Sequence, residues 1–233
     1  MPERSVRLVV FDMAGTTVRD DDAVNRCFRA ALAAAGVAVD AAAVNAVMGL
    51  PKLEAVRRLL ASPTAAQLES PSAVAIHADF VDRMCAHYRN DPSVAAVDGA
   101  VEVFRALHTA GVKVTLDTGF DRAIADTVLA RLGWSAGGAI DATITSDEVA
   151  HGRPHADMIL ALMRTVGVPD PALVAKVGDT PADLLSGAAA GCGWNIGVTS
   201  GTHTHSALEA YPHTHLIDDI RQLCGLLAVQ GER

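Results

Sequence analysis

Aromatic side chains make up only 4% of the 233 residues, the four cysteines form no CxxC pair, no apolar run reaches the length of a membrane span, and positive charge is in deficit. Each shortage removes a class of protein. Without a long apolar stretch there is no candidate transmembrane helix, and MPERSVRLVVF carries no extended apolar segment ahead of a cleavage site, so the expectation is a cytoplasmic protein with no membrane partner. Cys27, Cys85, Cys192 and Cys224 are too scattered for a zinc site or a disulfide framework and read as reduced core cysteines. The formal charge of −8 argues against nucleic acid, whose phosphates demand a basic face. A small anion needs only a local positive pocket and stays compatible with an acidic chain.

Half the residues are hydrophobic, enough for a sizeable core. With aromatics scarce and Ala, Val and Leu abundant, that core is expected to be aliphatic and packed between helices and sheet, which favours α/β over all-β. Residues 6–12 (VRLVVFD) read as a buried strand ending in Asp12 and followed by the loop AGTT. From Asp22 to about Asn90 apolar residues recur at helical spacing: DAVNRCFRAALAAAG, AAAVNAVMGL, KLEAVRRLLAS and a long segment from AAQLES to AHYRN. An uninterrupted helical stretch placed directly after a first strand is more easily housed as a separate unit than within βα alternation. DPSVAAVDGA reads as the return linker.

Beyond Gly99 helices and strands alternate: VEVFRALHTAG, VKVTLDT, DRAIADTVLARLG, DATITS, HADMILALMRTVG, ALVAKVGD, PADLLSGAAAG, WNIGVTS. Such alternation predicts a parallel sheet with right-handed crossovers. The expected architecture is therefore a Rossmann-like, doubly wound α/β core at 1–18 and 95–233, carrying an all-helical cap at 19–94.

In open α/β sheets ligands bind beyond the strands' carboxyl ends. Four strands of this reading end in residues suited to phosphoryl chemistry. Asp12 closes the first. Thr118-Gly119 closes the second, offering a hydroxyl and backbone N–H groups to phosphate oxygens. Arg153 follows the third in a Gly-Arg-Pro turn, where a guanidinium can neutralise a phosphoryl group and orient Asp12. Asp179 and Asp183 follow the fourth, spaced to converge on a first helical turn and to serve a magnesium ion. Alone, each has a blander explanation as a cap or a surface residue; together they form a pattern.

In order and spacing, DMAGTT at 12–17, Thr118, Arg153 and GDTPAD at 178–183 resemble the four motifs of the haloacid dehalogenase superfamily of phosphotransferases and hydrolases. The resemblance spans nearly the whole chain, including the helical insert. It implies an Asp12 nucleophile that forms an aspartyl-phosphate, and Mg²⁺ held by Asp12, Asp179 and the Ala14 carbonyl with Asp183 in support. Thr118 and Arg153 would bind the phosphoryl group, with Ala14, Gly15, Thr16, Met48 and Gly119 contacting substrate. The superfamily also admits a homodimer.

Most phosphatases of that superfamily carry a second aspartate two residues after the nucleophile, as general acid for the leaving alcohol and general base for water; here Ala14 stands there. An ester leaving group would lose proton assistance typically worth about 10²–10⁴-fold. The AGTT, GRP, KVGDT and MGLPK stretches are similar to the phosphonoacetaldehyde hydrolase subfamily, which breaks a carbon–phosphorus bond through an imine on a cap lysine. Lys52 occupies the matching position. Lys52, Lys113 and Lys176 are the three lysines among 19 Lys and Arg, so a generic surface cation here would be expected to be arginine. Two positions depart from that subfamily: Met13 replaces a usual tryptophan, and Ala55 replaces a histidine three residues past the lysine. The substrate expected is a small phosphonate, or alternatively a phosphorylated metabolite hydrolysed by a phosphatase; a non-catalytic binder of such metabolites is a third reading, disfavoured by the retained nucleophile. The alternating His203, His205, His213 and His215 read as a polar loop, and Arg57 and Arg58 as surface residues.

Overall fold

The fold is taken from a computed structural model that describes residues 5–61 and 72–227. A first strand, β1 (Leu8–Asp12), is followed by four helices, α1 (Ala23–Ala34), α2 (Ala41–Asn45), α3 (Lys52–Ala61) and α4 (Ala73–Asn90). Regular alternation begins with α5 (Ala100–Thr109) and runs through β2 (Lys113–Thr118), α6 (Arg122–Leu132), β3 (Ala142–Thr145), α7 (Asp157–Val166), β4 (Val174–Gly178), α8 (Pro181–Ala190) and β5 (Trp194–Val198). A short α9 (His205–Leu208), β6 (His215–Ile217) and α10 (Gln222–Leu226) complete it.

The six strands are all parallel, in the order β3-β2-β1-β4-β5-β6. β1 is buried along its whole length, as an apolar strand covered on both faces must be. The order reverses at β1, between β2 and β4, so the crevice that such a reversal opens lies at the end of β1, where Asp12 stands.

Alternation along the strands sorts side chains to two faces. Leu8 and Val10 pack with Ile159, Leu162 and Met163 of α7, whereas Val9 and Phe11 join Phe104 and Leu107 of α5 and Ile124 of α6. Register pairs Val10 with Lys176 and Asp12 with Asp117, so Asp12, Asp117 and Lys176 share the α7 face.

α8 opens with Pro181 as its first residue and a reciprocal cap between Thr180 and Asp183, which fixes Asp183 in the first turn. Among the helices between β1 and α5, α4 packs on α1 and α3 and also on α6. Phe28 stacks on Phe80 at 4.1 Å, and their cluster is continuous with Phe120 and Ile124.

Several expectations need correcting in detail. The helix expected to run on from residue 41 to 50 stops at Asn45 and gives way to turns through Met48 and Gly49. Residues 62–71, the beginning of the expected long fourth helix, lie outside the described residues; α4 is helical from Ala73. The histidine segment is not simply a loop: His205 begins α9 and His215 begins β6, a strand of three residues too short to show alternation. All four cysteines are free, but Cys85 alone is fully buried. Arg57 and Arg58 are exposed, with Arg58 paired to Glu54. Among the described residues no helix is long and apolar enough to cross a membrane.

Candidate active site

Immediately after Asp12 the chain doubles back. The Met13 carbonyl accepts the amides of Thr16, Thr17 and Val18, and the Thr17 hydroxyl donates to the Asp12 carbonyl at 2.9 Å. Gly15 turns with φ +87°, and a β-carbon there would lie 2.3 Å from Asp179 Oδ2. Glycine is therefore required twice over, by conformation and by space.

Beneath this loop lies a wholly buried ionic cluster. Arg153 Nη2 is 2.7 Å from Asp12 Oδ1 and 2.8 Å from Asp117 Oδ1, and Nη1 is 2.9 Å from Asp183 Oδ1. Lys176 Nζ bridges Asp117 Oδ1 at 2.6 Å and Asp183 Oδ1 at 2.8 Å. The other Asp183 oxygen accepts the Thr180 hydroxyl at 2.6 Å. Asp179 accepts the Thr16 hydroxyl at 3.1 Å and the Thr202 amide at 2.6 Å.

Carboxylate oxygens of Asp12, Asp179 and Asp183 come within 4.8 Å of one another. Four buried carboxylates, Asp12, Asp117, Asp179 and Asp183, stand with two buried cations, Arg153 and Lys176, neither of which pairs with Asp179; with all four ionised, the group would carry two net negative charges. The strain appears on the two acids least served by cations. Burial pushes Asp12 up to about 7 despite Arg153, and burial with the Asp183 charge pushes Asp179 up to about 6. Burial also opposes the charge on Asp183, but Arg153 and Lys176 outweigh it and hold that carboxyl below its ordinary value. Charge count and oxygen donors both suit a divalent, oxygen-preferring cation such as Mg²⁺. Asp183 is paired with both cations whereas Asp12 meets one and Asp179 none, so Asp12 and Asp179 are the carboxylates whose charge such an ion would neutralise.

Above Asp12 is a cavity of about 20 Å³, room for a single water. Its lining brings together Asp12, Ala14, Met48, Lys52, Thr118, Gly119 and Arg153 from the sequence reading. Gly15 lies instead on a wider neighbouring cleft, the Thr16 hydroxyl is committed to Asp179, and Asp179 and Asp183 are buried below the floor. The Thr118 oxygen accepts the Phe120 amide at 3.1 Å, which leaves its proton free to donate into the cavity.

Lys52 opens α3 and is buried, 5% exposed. Its Nζ lies 5.7 Å from the Phe28 ring centroid and 5.0 Å from that of Phe120, and among the described residues it has no hydrogen-bond or ion-pair partner. Burial pulls it down to about 8, with Asp12 restoring part of the loss.

The segment carrying Lys52 rests on the strand-end loops at points where only glycine fits. A β-carbon on Gly119 would meet the Leu50 carbonyl oxygen at 2.5 Å, one on Gly49 the Thr180 hydroxyl at 2.2 Å, and one on Gly152 the Pro51 ring at 2.5 Å.

Sequence reasoning overlooked Asp117, Lys176, Asp20, Thr202 and the two rings beside Lys52. For Asp117 and Lys176 a signal existed: a charge inside a strand covered on both faces must find a buried partner.

Residues 6–191 match the family model for haloacid dehalogenase-like hydrolases. Similar proteins include a phosphonoacetaldehyde hydrolase of Bacteroides fragilis, 28% identical over 222 residues that cover 90% of this chain and 82% of the relative. The probable phosphatase IndB of Dickeya dadantii is 31% identical, over 94% of this chain and 92% of the relative. The crystal structure of a phosphonoacetaldehyde hydrolase-like protein from Oleispira antarctica superposes with a TM-score of 0.84 at 22% identity, covering 97% of this chain and 92% of that one.

Proposed function

The chain belongs to the haloacid dehalogenase-like hydrolases, and from that premise we propose that it cleaves the carbon–phosphorus bond of phosphonoacetaldehyde or a related carbonyl-bearing phosphonate. The observation that carries this reading is Lys52: a buried amine in the same cavity as Asp12, beside two aromatic rings and without a hydrogen-bond or ion-pair partner among the described residues. A lysine kept only to bind phosphate gains from a permanent charge. At a value of about 8, roughly a tenth of Lys52 is the free amine at pH 7, the form that adds to an aldehyde.

Lys52 adds to the substrate carbonyl and, with loss of water, forms an iminium. Asp12 then attacks phosphorus, while the carbon–phosphorus electron pair moves toward the iminium and leaves as an enamine. The aspartyl-phosphate is hydrolysed by water. Protonation of the enamine carbon and hydrolysis of the imine free Lys52. Because the leaving carbon needs no proton as it departs, Ala14 costs that step nothing. Arg153 orients Asp12 and, with the Thr118 hydroxyl, receives phosphoryl oxygens. Mg²⁺, held by Asp12, Asp179 and the Ala14 carbonyl, would screen the repulsion between carboxylate and phosphonate.

Residues 19–94 serve in this reading as a cap over the core formed by 1–18 and 95–233. A cavity of about 20 Å³ cannot admit the substrate, so segment 48–52 must lift from the strand-end loops and close again.

A second reading, a phosphatase acting on a small phosphorylated metabolite, is favoured by Ala55, which leaves the lysine without the histidine that accompanies it in the phosphonatases. Phosphate release with Mg²⁺, from phosphonoacetaldehyde alongside phosphate monoesters, separates the two. Release from the phosphonate is expected; turnover of monoesters without it would establish the phosphatase.

A further inference from the structure

Imine chemistry needs a group that passes protons at the substrate carbonyl, and neither Ala14 nor Ala55 can do so. The cavity lining contains four ionisable side chains: Asp12, Asp20, Lys52 and Arg153. Asp12 is the nucleophile, Lys52 the amine, and Arg153 is held by three carboxylates. Asp20 is left.

Its geometry is defined. Asp20 Oδ1 accepts the Val24 amide at 3.0 Å and its carbonyl accepts the Ala23 amide at 2.7 Å, across two successive left-handed residues, Asp21 and Asp22. Left-handed residues other than glycine are uncommon, and this pair turns the chain sharply into α1. Among the described residues no donor reaches Asp20 Oδ2. Asp20 also lines the wider cleft of about 730 Å³, so the residue borders both the small cavity and the open cleft. The ionisable groups around it are Lys52 from α3, His87 and Tyr88 from α4, Asp22 from its own loop and Cys27 from α1. Burial raises its affinity for a proton, and the Val24 amide and Lys52 offset part of that.

We propose that Asp20 is the proton-transfer residue of this site, acting on the carbinolamine formed at Lys52. The protonated carboxyl gives its proton to the carbinolamine hydroxyl; the carbon–oxygen bond breaks, water leaves, and the nitrogen lone pair forms the carbon–nitrogen double bond. After the carbon–phosphorus bond is broken and the enamine carbon has taken a proton from water, the Asp20 carboxylate accepts a proton from the water that adds to the iminium, and so returns to the acid. This assignment rests on the imine reading.

The test compares wild type, Asp20→Asn and Asp20→Glu, each with Mg²⁺ and phosphonoacetaldehyde, by the rate of borohydride-trapped adduct at Lys52 and by phosphate release across pH. Asn keeps an oxygen for the Val24 amide, so the fold is expected to survive, which circular dichroism checks. Both rates should fall about 10²-fold or more in Asp20→Asn and partly recover in Asp20→Glu or with added acetate. Wild type needs Asp20 protonated and Lys52 uncharged together, giving a bell-shaped profile. Asp20→Asn leaves only the Lys52 requirement and should rise with pH to a plateau above about 8. Trapping by Asp20→Asn at the wild-type rate with an unchanged bell would overturn the role of Asp20 while leaving the imine intact. Absence of any adduct in wild type would overturn the imine reading, and this assignment with it.

Discussion

On the sheet side of the cavity, Arg153 touches three carboxylates and Lys176 two, every one of these groups is buried, and strand register puts Asp12, Asp117 and Lys176 on one face. On the helical side, Lys52 faces two aromatic rings and has no partner among the described residues, while glycines at 49, 119 and 152 leave room for the Thr180 hydroxyl, the Leu50 carbonyl and the Pro51 ring. The first wall is a buried lattice of ion pairs. The second is a close-fitting surface around an unsatisfied amine. In the proposed function, chemistry common to many phosphoryl substrates falls to the first wall and discrimination between substrates to the second, where Lys52 would meet a reacting carbonyl.

The sharpest way to break this division is at Asp12. Asp12→Asn should lower turnover by at least about 10⁴-fold, as loss of a nucleophile does, with unchanged circular dichroism. Residual activity within tenfold of wild type would remove the covalent scheme. Next in size is a stability effect confined to the sheet side. Lys176→Met leaves Asp117 and Asp183 facing each other with one cation fewer, and denaturant unfolding should show a loss of about 3–5 kcal/mol. A loss under about 1 kcal/mol, the range of surface ion pairs, would show that the lattice is not a structural unit.

A smaller effect is expected where the walls meet. Gly119→Ala directs a methyl group at the Leu50 carbonyl, and kcat/KM should fall about tenfold through impaired closure, with a loss of stability of about 1–3 kcal/mol from the backbone clash. Loss of a cooperative unfolding transition would point to misfolding instead. The smallest signal is a proton count. Metal binding requires Asp12 and Asp179 ionised, and their values near 7 and 6 mean that both are partly protonated without metal at pH 6.5. Titration with Mg²⁺ in two buffers of different ionisation enthalpy should then show release of about one proton, fading as pH rises above about 8. Proton-neutral binding at pH 6.5 would place the ion elsewhere.

Much of the sheet side was legible in the sequence. Asp12, Thr118 and Asp179 sit at strand ends and Arg153 in the turn that follows one, and an α/β sheet brings such ends together whatever the details of packing. Lys176 and Asp117 carried a local hint, but their pairing depends on β1 lying between β2 and β4, which spacing does not reveal. The helical side was less legible. Lys52 was picked out through a resemblance and the scarcity of lysine, yet its aromatic neighbours come from α1 and from the loop after β2. The positions of Gly49, Gly119 and Gly152 make sense only once chain segments are seen to touch. β6 escaped notice because three residues, His215–Ile217, are too few for alternation to show.

The central claim is that Lys52 reacts as an amine. It is tested most directly by adding sodium borohydride to the protein during turnover of phosphonoacetaldehyde with Mg²⁺ and determining the mass of the peptide that contains residue 52. A reduced adduct on Lys52 and irreversible loss of activity are expected, and neither in Lys52→Arg. Continued phosphate release with an unmodified Lys52 peptide would contradict it.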